Sequence, residues 1–161
     1  MPSGSAHLKI EAGLLFGWTG LAGYLLSERA ITVKMILSFV LAYAFSMLFL
    51  SPDLDLARSC AAGRWGSARW LWAPYALIFR HRGLSHHPLL GPLTRILYLG
   101  VGAGALFAAV FVLIGEAVRI VVPPAGLLLS VLVGLYVPNL THILADRATS
   151  AWRKRRARRR L

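Results

Sequence analysis

The chain has 161 residues, of which 57% are hydrophobic and 15% are charged, whereas a soluble globular domain is about 45–50% apolar and about 25% charged. This length fits one domain, and the excess of apolar residues lies in long runs, which excludes an ordinary soluble protein and indicates an integral membrane protein. The net charge of +12 would suit a nucleic-acid partner, but seven of the 18 Lys and Arg lie together in residues 153–160.

Four apolar runs are long enough, or nearly long enough, to cross a bilayer as helices. They are residues 12–27, 31–50, 96–115 and 124–145. The first run has about 16 residues, fewer than the ~20 that a perpendicular transmembrane helix needs, and the other runs are full length. The sequence therefore predicts an all-α fold, a membrane helix bundle with about four transmembrane helices.

A shorter apolar stretch, residues 65–79, lies between the second and third runs. It carries five large aromatic side chains, namely Trp65, Trp70, Trp72, Tyr75 and Phe79. Aromatic residues of this kind are enriched at membrane–water interfaces. The apolar core of the stretch has about a dozen residues, too few to span a bilayer, so we predict an interfacial or partly re-entrant helix.

The basic residues predict the orientation of these crossings. Four crossings place residues 1–11, 51–95 and 147–161 on one side of the membrane. All of the 18 Lys and Arg fall on that side except three that lie on or near the other: Arg29, Lys34 and Arg119. Because cytoplasmic loops carry the excess of Lys and Arg, we expect a multi-pass protein of the cell inner membrane or plasma membrane, with both termini in the cytoplasm.

The predicted domain organisation is simple. Residues 1–146 form a single membrane-embedded helical domain, with its metal site on the cytoplasmic side, and residues 147–161 form a basic cytoplasmic tail. Basic residues directly after an apolar segment typically fix topology and contact anionic lipid headgroups. Membrane lipids are therefore the expected partners of the tail, and nucleic acid is not.

Seven side chains that are able to bind a cation lie in four patches, all on the predicted cytoplasmic side. They are His7, Asp53, Asp55, His81, His86, His142 and Asp146. The chain has only 5 His and 6 Asp and Glu in total. Such a concentration of scarce polar residues around apolar helices calls for a functional explanation, and we predict that the patches meet at a metal site.

His142 and Asp146 lie four residues apart on a predicted helix. Residues at this spacing are neighbours on a helix surface, with roughly 5–6 Å between their Cβ atoms. One imidazole and one carboxylate can therefore bind the same cation. The alternative is a helix-end pair, in which the acid only orients the histidine.

Asp53 and Asp55 follow Pro52 and allow two interpretations. In the first, they begin a helix, with Ser51 as the N-cap and Pro52 at the first position. In the second, they lie in an extended segment, where residues two apart point the same way and both carboxylates face a metal. The two interpretations can coexist if one Asp caps the helix and the other binds the metal.

The segment His81-Arg-Gly-Leu-Ser-His86 is followed by His87 and Pro88. In an unbroken helix His81 and His86 would diverge by about 140°, but Gly83 and Pro88 favour a bent arrangement. Arg82 suits the binding of a phosphate or carboxylate by a bidentate fork, so we predict a catalytic role for it. The alternative is an interfacial loop whose His and Arg side chains touch lipid headgroups.

Nitrogen and carboxylate ligands without thiolate indicate a divalent metal, with Zn, Mn, Fe or Ni all compatible. The single cysteine, Cys60, excludes a cysteine-rich zinc site and an internal disulfide. Seven candidate ligands exceed the number that one catalytic zinc uses, so one to three ions are expected. Glu11, four residues after His7, is a candidate support for that histidine.

Taken together, several motifs resemble a family of uncharacterised, metal-binding membrane proteins. They are His7, Ser51-Pro-Asp-Leu-Asp-Leu, Arg64-Trp65, Trp72-x-Pro-Tyr75, His81-Arg-Gly-Leu-Ser-His86 and His142-x-x-x-Asp146. That family is similar to the predicted membrane-bound metal-dependent hydrolases and, distantly, to the zinc-dependent phospholipase C and P1-nuclease fold. The resemblance implies metal-ligand roles for the seven residues named above.

Three functions are compatible with these features. The first is a membrane-embedded, metal-dependent hydrolase of phosphoester substrates, including phospholipid-derived ones, at the cytoplasmic membrane face. The second is a non-catalytic metal-binding sensor or assembly protein, which would have a coordinatively closed site. The third, a transporter or channel, ranks last, because the apolar runs carry no charged residue except Lys34.

Overall fold

Helices make up nearly all of the described chain, and no strand occurs in it. The computed structural model describes residues 4–56, 59–79, 87–115 and 121–159. These described residues form six α-helices: α1 (Gly4–Ser27), α2 (Val33–Phe49), α3 (Cys60–Arg64), α4 (Ala73–Ile78), α5 (Leu90–Ile114) and α6 (Ala125–Arg158). Two 3₁₀ helices, Pro52–Asp55 and Gly66–Trp72, lie between them. The predicted all-α fold is confirmed.

Within the described ranges, three helical segments are long and apolar enough to cross a membrane: Val33–Asp55, Leu90–Ile114 and Ala125–Arg158. They correspond to three of the four predicted crossings. Helix α1 has 24 residues, but its glycines and polar aromatic residues lower its hydropathy, and it is not among the three. The predicted count of four crossings is therefore not confirmed.

The centre of the molecule is the contact between α2 and α6, where the two backbones approach closely. Gly134 of α6 makes this approach possible, because a Cβ atom there would lie 2.6 Å from the Phe39 carbonyl oxygen. The same contact carries buried hydrogen bonds. The Ser46 hydroxyl donates to the Leu135 carbonyl (2.6 Å), and the Asn139 amide donates to the Ser46 oxygen (2.8 Å).

Helix α1 lies beside this pair and runs antiparallel to α6. Near its start, His7 contacts Asp146, late in α6. Near its end, Trp18 and Leu25 line an apolar cavity together with Gly126, at the start of α6. Because α1 covers most of the same axial range as α2 and α6, its first turns lie at the same end of the molecule as His142 and Asp146.

The segment after α2 folds back under that end of the molecule. The side chains of Arg64 and Trp65 donate to the Leu48 and Phe49 carbonyls, both at 2.9 Å, and so satisfy acceptors at the end of α2 that have no partner within the helix. A small buried core forms below, from Leu50, Leu54, Ala61, Trp72 and Tyr75. In place of one interfacial helix, the aromatic stretch 65–79 thus forms a 3₁₀ helix and the short helix α4.

Helix α5 begins at Leu90 rather than at the predicted position 96. This earlier start places Arg95 inside a membrane-length helix, although the sequence had assigned it to the preceding connection. Of the described residues in α5, only those near its start are buried, namely Gly91, Pro92 and Arg95. Helix α6 likewise exceeds its predicted bounds, because it continues beyond Asp146 through the basic tail to Arg158.

Candidate metal centre

Three predicted ligands from distant parts of the chain meet at one end of the bundle. His7 lies in the first turns of α1, and His142 and Asp146 lie one turn apart on α6. One ligand atom from each of the three lies within 4.8 Å of the other two. All three residues are buried, with 3%, 4% and 6% of their surface exposed. Two ligands of one zinc ion are at most about 4.4 Å apart, so the spacing is close to the binding range.

Each histidine is held by a carboxylate. His7 Nε2 lies 3.1 Å from Asp146 Oδ1, and His142 Nδ1 lies 3.1 Å from Glu11 Oε1. The two imidazole rings are stacked, with their centroids 3.7 Å apart and an interplanar angle of 14°. A carboxylate that accepts from one ring nitrogen fixes the orientation and tautomer of a metal-binding histidine, and Glu11 is placed to do this for His142.

Burial and the neighbouring His142 ring keep His7 suited to metal binding. His7 and Glu11 precede the apolar run 12–27. Burial lowers the pKa of the His7 imidazole, and the adjacent His142 ring acts in the same direction. The neutral imidazole, which is the form that binds metal, is thereby favoured. Burial also raises the pKa of the Glu11 carboxyl.

One ring nitrogen of each histidine is left without a hydrogen-bond partner in the described part of the chain. These atoms are His7 Nδ1 and His142 Nε2, and both are fully buried. Buried polar atoms are nearly always satisfied, so each exception needs an explanation. Two unsatisfied imidazole nitrogens beside two or more carboxylates match the nitrogen and oxygen ligands of a divalent cation. The residues therefore fit a bound metal.

Among the described residues, Asp53 lies beside this group and Asp55 lies apart from it. Residues Pro52–Asp55 form a 3₁₀ helix, with the Ser51 side chain accepting from the Asp53 backbone at 3.4 Å, so the predicted helix start is confirmed and the extended alternative is wrong. In a 3₁₀ helix, residues two apart diverge by about 120°. Asp53 Oδ2 consequently lies 3.7 Å from His142 Nε2, while Asp55 lines a different cavity with Arg69.

A fully buried cation, Arg95, lies on the other side of the two aspartates. Its guanidinium donates to the Asn139 side-chain oxygen, interacts electrostatically with Asp55 and Asp53, and hydrogen-bonds Tyr75. Asn139 lies one turn before His142 on α6. Because removing a charge from water is costly unless that charge is paired, this cluster ties α5 to the segment and the helix that carry the candidate ligands.

A cavity of about 290 Å³ opens directly beside the candidate ligands. Its lining includes His7, Glu11, Asp53 and His142, together with Ser51, Ser59, Cys60 and Arg64. A cation at the cluster would therefore face a space large enough for small molecules. A catalytic metal site, in contrast to a structural zinc site, needs such a space beside its protein ligands.

Three of the predicted site residues, His81, Arg82 and His86, lie outside the described residues, so their predicted roles stay predictions. Other residues have larger roles than the sequence predicts. The sequence predicts Glu11 only as a support for His7, yet Glu11 contacts His142. Arg95 and Asn139 are not among the predicted site residues, although one charged and one amide residue in or beside the apolar runs could have indicated them.

The comparisons with known proteins agree with a metal site. A family model described as uncharacterized metal-binding protein (DUF2227) matches residues 2–156. An uncharacterized protein of Aquifex aeolicus (strain VF5) is 44% identical over 61 residues, which are 38% of this chain and 43% of that protein. The match thus spans less than half of the relative's length.

No solved structure matches the chain with significance. The expected resemblance to membrane-bound hydrolases and to the P1-nuclease fold is not shown by these comparisons, and neither is the identity of the metal. The family match covers nearly the whole chain, and it agrees with the buried cluster of His7, His142 and Asp146. The chain therefore belongs to the family of uncharacterized metal-binding proteins (DUF2227).

Proposed function

We propose that this protein is an integral membrane, metal-dependent hydrolase that acts on phosphoester substrates, including phospholipid-derived ones, at the cytoplasmic membrane face. The observation that carries the proposal is the buried cluster of His7, His142 and Asp146, which adjoins an open cavity. A divalent ion, with Zn the first choice and Mn, Fe and Ni as alternatives, suits these ligands.

The chain's own residues divide into two roles in this proposal. His7, His142 and Asp146 hold the ion, with Asp53 as a further ligand at the cavity wall. Glu11 orients His142 by accepting from Nδ1, which leaves Nε2 for the ion. A divalent ion in such a site lowers the pKa of water and polarises a phosphoryl oxygen. Arg82, His81 and His86 keep their predicted roles as a charge-stabilising cation and as ligands of one or more ions.

The cavity favours a hydrolase over the alternative of a sensor or assembly protein. A sensor site needs no room for a second molecule beside its ligands, whereas a hydrolase needs such room on the open side of the ion. Here Glu11, Asp53 and the two histidines all line the 290 Å³ space. The transporter alternative ranks last, because the polar residues that face one another between the helices, such as Ser46 and Asn139, are hydrogen-bonded to each other.

The membrane arrangement that we propose has four crossings, with residues 1–11 and 147–161 on the cytoplasmic side. Its support is that α1 runs alongside α2 and α6 over much of their length. Helix α6 has 34 residues, or about 51 Å, against a hydrocarbon core of about 30 Å. Its Arg-rich end therefore extends beyond the bilayer, where it contacts anionic headgroups. Trp152, which packs under Arg156 at 5.4 Å, is suited to the interface.

Metal binding by the full chain in detergent or nanodiscs is the first test. The purified protein should bind at least about one equivalent of Zn²⁺ or Co²⁺ per chain, measured by competition with a chromophoric chelator. His142→Ala should abolish high-affinity binding, and Glu11→Gln should weaken it about 10- to 100-fold, as expected for a group that orients a ligand. Glu28→Gln, an exposed glutamate far from the site, is the matched control and should bind like the unaltered chain.

Hydrolysis is the second test, with chromogenic phosphodiesters and phosphomonoesters as substrates. We expect metal-dependent turnover that His142→Ala removes. Absence of divalent-metal binding would refute the proposal as a whole. Stoichiometric metal binding without turnover of either ester class would refute the hydrolase and leave the sensor or assembly alternative.

A further inference from the structure

The cavity beside the candidate metal ligands is also lined by hydrogen-bond donors. Arg64, at the end of α3, lines it together with Ser51 and Ser59. One guanidinium nitrogen of Arg64, Nη1, donates to the Leu48 carbonyl at 2.9 Å. Since a guanidinium has five N–H donors in a rigid fork, this single anchor positions the group and leaves donors for a second molecule.

The two serines add neutral donors beside the arginine. The Ser51 oxygen accepts from the Asp53 backbone at 3.4 Å, and the Ser59 oxygen accepts from the Ala62 backbone at 3.1 Å. A hydroxyl whose oxygen is used as a helix cap keeps its own hydrogen for donation. The caps also fix where the two hydroxyl groups lie, so the donors are positioned before any molecule enters.

The charge of Arg64 acts on the group of candidate ligands. Arg64 interacts electrostatically with Glu11, the residue placed to orient His142. One cavity lining therefore combines acidic and imidazole ligands with a guanidinium and two hydroxyl groups. An oxyanion suits this lining, because its oxygens can coordinate the metal and also accept from Arg64.

We infer that Arg64, with Ser51 and Ser59, forms the subsite for the phosphoryl group of the substrate. The inference rests on the proposed function, because it needs a divalent ion at the cluster. A phosphoryl group has enough non-bridging oxygens to bind an ion and also accept from a guanidinium and two hydroxyl groups, whereas a carboxylate has only two oxygens. Arg64 is thus a cation for substrate recognition, assigned independently of Arg82.

The phosphoryl group has two sources, a soluble phosphate ester or a phospholipid headgroup, and both present the same chemistry. The experiment uses the Co²⁺-loaded full chain in phosphatidylcholine nanodiscs, with inorganic phosphate as the probe. Binding is measured from the paramagnetic relaxation of the phosphorus nucleus, which responds only when phosphate lies near the ion. The Co²⁺ absorption spectrum is recorded for every variant, so that loss of the metal is detected separately.

We expect Arg64→Gln to weaken phosphate binding about 10- to 100-fold, the equivalent of one charged hydrogen bond, while the Co²⁺ spectrum is retained. The phosphate affinity of Arg64→Lys should lie between those of the unaltered chain and of Arg64→Gln, because an ammonium keeps the charge but lacks the two-pronged donor geometry of a guanidinium. Arg69→Gln is the matched control. Arg69 lies on the neighbouring 3₁₀ helix and lines the other cavity, so its removal should leave phosphate binding unchanged.

Three results would overturn the subsite. They are no phosphate relaxation in the Co²⁺-loaded chain, equal phosphate affinity in Arg64→Gln, and acetate displacing phosphate at comparable concentration. Each of them leaves the metal site intact, whereas failure to bind Co²⁺ refutes the proposed function itself. Nanodiscs that also contain phosphatidic acid identify the source. Displacement of phosphate by this lipid assigns the subsite to a headgroup, and retention of phosphate assigns it to a soluble ester.

Discussion

At the scale of single residues, the two aspartates of the 3₁₀ helix Pro52–Asp55 make different contacts despite their similar sequence context. Asp53 faces His142, with Oδ2 3.7 Å from Nε2, and lines the metal-side cavity. Asp55 is half-buried and interacts with Arg95, which has no exposed surface. The 3₁₀ geometry, with about 120° between successive residues, separates the two carboxylates, so that Asp53 lies beside His142 and Asp55 is the aspartate that interacts more strongly with Arg95.

This division predicts opposite effects of two conservative substitutions. Asp53→Asn should weaken divalent-metal binding about tenfold or more, with a smaller loss of thermal stability than Asp55→Asn, because Asp55 interacts more strongly than Asp53 with Arg95. Asp55→Asn should leave metal affinity nearly unchanged and lower the free energy of unfolding. The loss should be smaller than the about 3–5 kcal/mol for breaking a fully buried pair, because Asp55 is only half-buried.

The measurements are chelator competition and thermal unfolding in detergent, made on both variants. The double variant Asp55→Asn, Arg95→Met removes the buried cation together with its counter-charge, and it should recover part of the stability that Asp55→Asn loses. A large drop in metal affinity for Asp55→Asn would show that both aspartates serve the metal, and the division would be wrong.

At the scale of helices, the site depends on how closely α2 and α6 approach. His142 and Asp146 lie on α6, and the segment that carries Asp53 continues from α2, so the contact between these helices sets their separation. Gly134 lies at the closest point, where a Cβ atom would be 2.6 Å from the Phe39 carbonyl oxygen and 2.9 Å from the Ala42 Cβ. A backbone oxygen cannot move aside cheaply, because it belongs to a hydrogen-bonded helix.

Gly134→Ala should therefore lower the free energy of unfolding by about 1–3 kcal/mol, the usual cost of overpacking. Gly100→Ala, in α5, is the control with the same chemical change, because no atom lies within 4 Å of a Cβ there. Thermal unfolding in detergent measures both variants. If Gly134→Ala were as stable as Gly100→Ala, the close approach of α2 and α6 at Gly134 would be contradicted.

The same helices show what a sequence predicts and what it misses. The long apolar runs predicted α2, α5 and α6, because apolarity over that length is a local property. The pairing of His142 with Asp146 followed from helical spacing alone. The contact of Glu11 with His142 did not, because it depends on how α1 packs against α6. The burial of Arg95 was missed for the same reason: its partner, Asn139, lies 44 residues away.

At the scale of the whole molecule, the two ends of the bundle differ in chemistry. One end gathers the candidate ligands, the cavity with Arg64, and the basic end of α6. The other end is apolar, with a cavity of about 310 Å³ lined by residues such as Trp18, Phe39 and Leu129. This polarity matches a membrane protein whose chemistry lies at one surface. In the proposed arrangement of four crossings, the turn between α1 and α2, which contains Ala30, lies at the opposite surface.

The single cysteine makes this arrangement testable, because the unaltered chain carries one labelling site and one substitution removes it. Cys60 is exposed and lies at the ligand end, so a membrane-impermeant maleimide should leave it unlabelled in intact cells of a bacterial host and label it after the membrane is broken. Ala30→Cys in a Cys60→Ser background should react already in intact cells, because Ala30 is exposed at the opposite end. Labelling of both positions from the same side would contradict the crossing of α2. Labelling of Cys60 alone in intact cells would show that the orientation is the reverse of the predicted one, with the positive residues around the site facing outward.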